Sequence, residues 1–360
     1  MQIFTDARTL VIFLVTFTAI IAVHEFGHYI TARLLGMRVL EFAFGFPPRI
    51  FAVRKGGIDY SVNAIPFGGF VRILGQDDFA IRQQGEGEPD SFTAKPWWMQ
   101  AIVLVAGVVM NMVLALVVLT AAFAMGGPAP TGDVRVAEVK EGSPAETSGI
   151  RMGDLIRQVD GVKISDSQAL VRYTRDHRGV EIALLVERNG RPLPLIRAVP
   201  RTDPPAGEGP LGIVLVDVTA PVSGGLPASF GNAWALTLDI VQQIAALPGQ
   251  LLAARQGPGD TAPEIGGPIE ILRVTGQVSQ FGVAALLRLV GVLSINLAIL
   301  NIIPFPALDG GRLLFVLIGG IFKKRLSPQV EGLVHAVGFV LLLGLIVLVS
   351  IADIRRLIGG

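Results

Sequence analysis

The 360-residue chain contains no cysteine. Disulfides, thiolate catalysis and Cys-ligated zinc or iron–sulfur centres are therefore excluded. Charge is scarce as well: 16% of residues are Asp, Glu, Lys or Arg, against about 25% in an ordinary soluble domain. Half of the chain, 51%, is hydrophobic and the mean hydropathy is +0.59, which argues against a soluble globular enzyme and against a disordered chain. Gly (43) and Pro (23) are frequent but follow no triplet period, so collagen is excluded. A net charge of +1 gives no global pull toward polyanions, and no nucleic-acid partner is expected. Histidine is nearly absent: there are four, so any imidazole chemistry must draw on some of these.

Four long apolar segments are present. They run from about Thr9 to Leu35, Trp98 to Met125, Val283 to Phe322 and Leu333 to Ala352, and each can cross the roughly 30 Å of bilayer hydrocarbon. The first is longer than a signal-peptide core and no small-residue cleavage site follows it. The third is too long for one straight span and is interrupted by Pro304-Phe305-Pro306 and Asp309-Gly310-Gly311. The expected fold is a polytopic α-helical membrane protein with about four transmembrane helices.

Four regions are expected along the chain. Residues 1–127 hold the first two spans and, between them, a β-hairpin region over Glu41–Leu74 with short strands, turning at Lys55-Gly56-Gly57. Residues 128–218 are soluble in character and read as an inserted α+β module: a strand at Val134–Val139, a Ser143 N-cap before Pro144, a helix at Ser167–His177 and a hairpin around Asn189-Gly190. Residues 219–280 carry an interfacial helix pattern, Phe230–Arg255, and a Gly/Pro linker, Gly257–Pro268; residues 281–360 hold the last two spans. Arg33, Arg38, Arg49, Arg54, Lys55, Arg72, Arg82 and Lys95 follow the first span, and Lys323-Lys324-Arg325 ends the third. By the positive-inside rule these two loops are cytoplasmic and the soluble module faces outside.

His24-Glu25-Phe26-Gly27-His28 is an H-E-x-x-H pattern inside the first span. Residues four apart share a helix face, so both imidazoles can hold one zinc ion, with Glu25 close enough to act as general base on water. Three ionisable groups inside an apolar span cost about 2.5–3.5 kcal/mol each on insertion scales and need partners; a polar patch against a neighbouring helix is the bland alternative. With no Cys, a third ligand must be His, Asp or Glu. Asp309, at the break in the third span, is the outstanding candidate, because irregular backbone at membrane depth must be buried in protein or line a cavity. A helix-capping role for this Asp is the alternative.

Taken together, His24-Glu25-x-x-His28 and Asn301-x-x-Pro304-x-Pro306-x-Leu308-Asp309-Gly310-Gly311 resemble the site-2 protease family of intramembrane zinc metalloproteases, more narrowly its bacterial regulator-of-sigma-E protease type. The resemblance covers nearly the whole chain. It implies one zinc ion held by His24, His28 and Asp309, Glu25 as general base, single-span membrane proteins such as anti-sigma factors or signal-peptide remnants as substrates, and an upstream site-1 protease that trims them. It also implies a multi-pass place in the bacterial inner membrane, among lipid, with the site opening toward the cytoplasm. Gly107-Val108-Val109-Met110-Asn111 departs from the family's Gly-Pro before the Asn; Asn111 either contacts substrate or the zinc neighbourhood, or makes an interhelical hydrogen bond. A membrane-dipping hairpin is implied too. Its Gly69, Phe70, Val71 and Arg72, or the hairpin Ile50–Val62, offer an edge that could capture an unwound substrate by β-addition; an ordinary cytoplasmic hairpin is the alternative. The module resembles a circularly permuted PDZ domain through Gly142-Ser143-Pro144-Ala145, Gly149-Ile150-x-x-Gly153-Asp154-Leu155-Ile156 and Asp160-Gly161, with Gly209-Pro210-Leu211-Gly212 as a carboxylate-binding loop, and is expected to screen substrates. The rival readings are a non-catalytic membrane scaffold with a structural metal site and a cation transporter. His335 is expected to pack or hydrogen-bond rather than ligate, and Gly266-Gly267-Pro268 has no expected role beyond a turn.

Overall fold

A computed structural model describes residues 7–76, 88–164, 166–205, 208–254, 266–322 and 327–359. The Lys323-Lys324-Arg325 cluster, Arg82 and most of the Gly257–Pro268 linker lie outside the described residues. The chain forms two compact units, one of Met1–Met125, Ser229–Ile244 and Glu264–Gly360, the other of Gly126–Ala228 and Ala245–Pro263.

Helix α1 (Ala7–Leu34) begins the first unit and is followed by strands β1 (Val39–Lys55) and β2 (Ile58–Ile73). The strands are longer than the sequence suggests, because the bends at Pro47-Pro48 and at Gly68 redirect the chain without ending its pairing. Phe42 pairs with Val71 on one side and Tyr60 on the other, and Phe44 likewise with Gly69 and Val62. The hairpin is thus folded over on itself, and residues 69–73 form one outer edge. Buried Glu41 pins the fold-over: it accepts from Ser61 Oγ at 2.7 Å and pairs with Arg49 at 2.5 Å and Arg72 at 3.2 Å. Phe42, Ile58 and Ile73 pack into one core with Tyr29 and Ala32 of α1 and with Val103 and Leu104 of α2 (Trp97–Ala124).

The second unit is a small α+β module. It comprises β3 (Pro128–Val139), α3 (Pro144–Thr147), β4 (Leu155–Val159), β5 (Val162–Lys163), α4 (Ser167–Asp176), β6 (Ile182–Arg188), β7 (Arg191–Pro192), β8 (Ile196–Ala198) and β9 (Ile213–Pro221). The main strand order is β7-β6-β4-β3-β9, with β9 at the edge. Val134, Val136, Ile156, Val159, Leu170, Ile182 and Leu184 form its core. Ser143 caps α3 by accepting from the Glu146 N–H at 3.1 Å. Asp154, fully buried, accepts from Arg188 Nε at 2.6 Å and from the Arg151 N–H at 2.9 Å.

Helix α5 (Gly225–Ala254) follows, then α6 (Pro268–Ser279), α7 (Val283–Ile302), α8 (Asp309–Phe322) and α9 (Pro328–Gly359). The third apolar segment is indeed two helices, α7 and α8, parted at residues 303–308. α2 lies at the centre of the bundle, against α1, α7 and α8. The Gly266-Gly267-Pro268 element has a definite role here. Asp353 of α9 accepts from the N–H groups of Gly267, at 3.0 Å, and Glu270, at 3.1 Å. A side chain from another helix thereby satisfies the open amides at the start of α6. Gly267 must be glycine because a Cβ would strike the Asp353 carboxylate and Val349. α1, α2, α7 and residues Gln329–Arg356 of α9 are each long and apolar enough to cross a membrane. With four such helices, the chain is a membrane protein.

Candidate active site

The site is assembled by three helices of the first unit. His24 and His28, one turn apart on α1, stand edge to face with ring centroids 4.8 Å apart. Gly27 lies between them, pressed against the Ala106 carbonyl of α2, where a Cβ has no room; small residues permit this close helix approach. Opposite, Gly107 of α2 lies directly under both rings, and any side chain there would occupy the same space as the two imidazoles.

Asp309 arrives from the break. The chain leaves α7 at Ile302, turns through Pro304-Phe305-Pro306-Ala307 and re-enters a helix at Asp309. Gly310 packs against the carbonyls of Ile302 and Ile303, and Gly311 against that of Phe305. This tight return is open only to glycine, and it turns the Asp309 carboxylate toward α1. Asp309 Oδ2 lies 2.9 Å from His24 Nε2 and 3.1 Å from His28 Nε2, and the two Nε2 atoms are 3.1 Å apart. Among the described residues these three form the one cluster of His, Cys, Asp and Glu with converging ligand atoms.

The donor set fits zinc. Ligand atoms of a tetrahedral zinc with bonds of about 2.0–2.1 Å stand about 3.3 Å apart, close to the spacing observed. The second nitrogens are also held. His28 Nδ1 donates to the Val103 carbonyl at 2.8 Å, which leaves Nε2 as the metal-facing lone pair. The Asn111 amide lies 3.3 Å from His24 Nδ1, and its Oδ1 is a buried acceptor with no hydrogen-bond partner. A half-turn of that amide satisfies both groups: Oδ1 accepts from Nδ1–H, and Nε2 of His24 is freed for the ion. Ser294 of α7 donates to the Asn111 carbonyl at 2.9 Å and fixes this stretch of α2.

Glu25, partly buried, lies within electrostatic range of His24, His28 and Asp309, and the Val71 amide of β2 is turned toward it. Gly69 also borders Glu25. Phe70 stacks on Phe46, with centroids 6.4 Å apart, and Arg72 pairs with Glu41. So His24, His28 and Asp309 converge at one point, Asn111 holds His24 from its other nitrogen, and Glu25 stands nearby, bordered by Gly69 and the Val71 amide. Sequence reasoning names Gly107 only as part of the Asn111 motif and gives it no role, although it sits one helical turn before Asn111 and hence on the same face. It also missed the Val103 carbonyl, which no side-chain pattern announces. His335 lies outside this cluster; its Nδ1 accepts from the Ala307 N–H at 3.0 Å.

A zinc ion held by His24, His28 and Asp309 would polarise a scissile carbonyl and acidify water. Hydrolysis at such an ion would call for a neighbouring general base that later returns the proton to the departing amine; Glu25 is the carboxylate beside this cluster.

Comparison with known proteins agrees with this chemistry. Over 342 residues, 95% of this chain and 97% of the other, the sequence is 34% identical to a Clostridium perfringens protein carrying a zinc-metalloprotease name. It is 28% identical to the zinc metalloprotease RasP of Oceanobacillus iheyensis, across 97% of this chain and 99% of that one. A solved PDZ domain of an SdrC-like protein from Listeria monocytogenes is 25% identical over 23% of this chain and 86% of its own, with a TM-score of 0.21. The family model for peptidase family M50 matches residues 12–345, from within the first apolar helix to within the last. Both halves of the metal site fall inside that match, and the chain belongs to peptidase family M50, the site-2 proteases, as a zinc metalloprotease.

Proposed function

We propose that this chain hydrolyses a peptide bond within or beside the transmembrane segment of single-span membrane proteins already trimmed by a site-1 protease, as in regulated intramembrane proteolysis. Anti-sigma factors and signal-peptide remnants are the proposed substrate class. The observation that carries the reading is position: His24, Glu25 and His28 lie inside α1, a helix of 28 residues with the composition of a membrane span.

A helical substrate hides its peptide groups and must be unwound before attack. Residues 69–73 form an outer edge of the folded hairpin, and Gly69 and the Val71 amide within it border Glu25; this supports capture of the unwound segment by β-addition through Gly69, Phe70, Val71 and Arg72. Exposed Ile50, Phe51 and Val53 give the far end of the hairpin an apolar surface suited to lipid. The Lys and Arg excess after the first span supports a cytoplasmic opening in the inner membrane and an extracytoplasmic second unit, which we read as a PDZ-like filter rather than a catalytic part.

The test is reconstitution. The purified chain in lipid vesicles with a single-span anti-sigma-type substrate should cut it in or near the span, cutting should stop with Glu25→Gln, and substrate with its external domain intact should be spared. Cleavage confined to soluble peptides would overturn the reading.

A further inference from the structure

Among the described residues, three non-glycine positions have positive φ: Asp160, Asn189 and Ala307. The first two precede glycines in two-residue turns and carry side chains that tolerate the left-handed region. Ala307, at φ 77°, has no such excuse. It stands two residues before Asp309, in the break that aims this ligand at α1. Something outside the break must hold it there.

The holding group lies on α9. The Ala307 N–H, which has no helical acceptor in the break, donates to His335 Nδ1 at 3.0 Å. Because a main-chain N–H donates, that nitrogen carries the lone pair and the ring proton sits on Nε2. The imidazole is 2% exposed and stands edge-on to Phe315 of α8, with centroids 5.5 Å apart at 83°. Gly338, nearly one turn further along α9, lies flush against Pro306, leaving no space for a Cβ. The break is thus clamped from one side by a polar contact and a close backbone approach on the same helix.

We propose that His335 is a positioning residue for the zinc site: by accepting from Ala307 it fixes the left-handed turn that places the Asp309 carboxylate among His24 and His28. The inference rests on the zinc-metalloprotease assignment, and its test needs no substrate, so a failure of the proposed substrate class would appear separately.

Zinc affinity of the full-length chain in detergent, by competition with a chelator, is the readout, together with the visible spectrum of the cobalt-substituted site. His335→Leu keeps volume and loses the acceptor; its zinc affinity should fall by about tenfold or more and its cobalt spectrum should shift. His335→Asn presents Oδ1 near the position of Nδ1 and should stay within about threefold of wild type. Ala307→Gly, which takes positive φ without strain, should restore much of the loss in the His335→Leu background. Wild-type affinity and an unchanged cobalt spectrum in His335→Leu would overturn the proposal. If the Leu variant does not fold, His335→Gln replaces it, since its longer amide sets the acceptor in a different place; equal zinc affinities for the Asn and Gln variants would equally overturn it.

Discussion

Asn111 of α2 places its amide 3.3 Å from Nδ1 of His24, a residue 87 positions earlier in the chain. The contact decides which nitrogen of His24 faces the metal. Asn111→Ala should therefore weaken zinc binding by about 10–100-fold while the helices stay folded; metal content after dialysis against graded chelator, with circular dichroism as the control, checks this.

Gly107 gives a steric counterpart. A methyl group at this position points into both imidazoles. Gly107→Ala should cost zinc at least as much as Asn111→Ala does, and Gly344→Ala, on α9 with open space around its Cβ, should leave the metal content at one zinc per chain. Near-stoichiometric zinc in the Gly107 variant would contradict the packing described.

Glu25→Gln should leave zinc bound and lower turnover by about 10²–10⁴-fold, the span usual for losing a general base. Chelation of the wild type should abolish cleavage and added zinc should restore it. A scaffold with a structural ion would be indifferent to the substitution.

The proposed capture edge can be tested without background labelling, because the chain has no cysteine of its own. In a Glu25→Gln background, a cysteine at Phe70 or Arg72 should crosslink to a cysteine near the scissile bond of a bound single-span substrate. A cysteine at Phe51, in the outer arm of the hairpin, should not.

In the second unit, burial pushes the Asp154 carboxyl up, but hydrogen bonds from Arg188 and from the Arg151 backbone outweigh it and hold the group below its usual range. A carboxyl depressed in the folded state contributes stability that is present above its unfolded pKa of about 4 and is lost as pH falls through the lower folded value. Arg188→Met leaves Asp154 buried with the Arg151 N–H but without its ion-pair partner, and should destabilise the unit by about 3 kcal/mol at neutral pH. Hydrogen exchange of the β4 and β6 amides in the full-length chain, at fixed pH, measures the loss.

The membrane architecture was legible because hydrocarbon thickness imposes a minimum run of apolar residues, and four such runs stand out. The metal site was legible for a different reason: ionisable groups are so costly inside these runs that His24, Glu25, His28 and Asp309 had few bland explanations. The supporting groups were hidden. The Val103 carbonyl belongs to every residue type alike, Gly107 looks like any small residue of a membrane helix, and the partners of Asp353 are main-chain amides at the start of a separate helix, α6. The hairpin's double pairing was invisible too, since alternation along a strand says which face is buried but not how many neighbours the strand acquires.

His335 and Asp353 stand eighteen positions apart on α9, five full turns and about 27 Å along the axis. They therefore share one side of this helix near opposite ends of its apolar stretch, and each accepts from main-chain N–H groups of a different element, Ala307 in one case and the start of α6 in the other. Most membrane helices find their depth from charged and aromatic flanks. This one is keyed internally, like a bolt seated at two points: a one-residue insertion between the two would rotate one contact by about 100° away from its socket, so the spacing itself is under structural constraint although most of the residues within it are exposed.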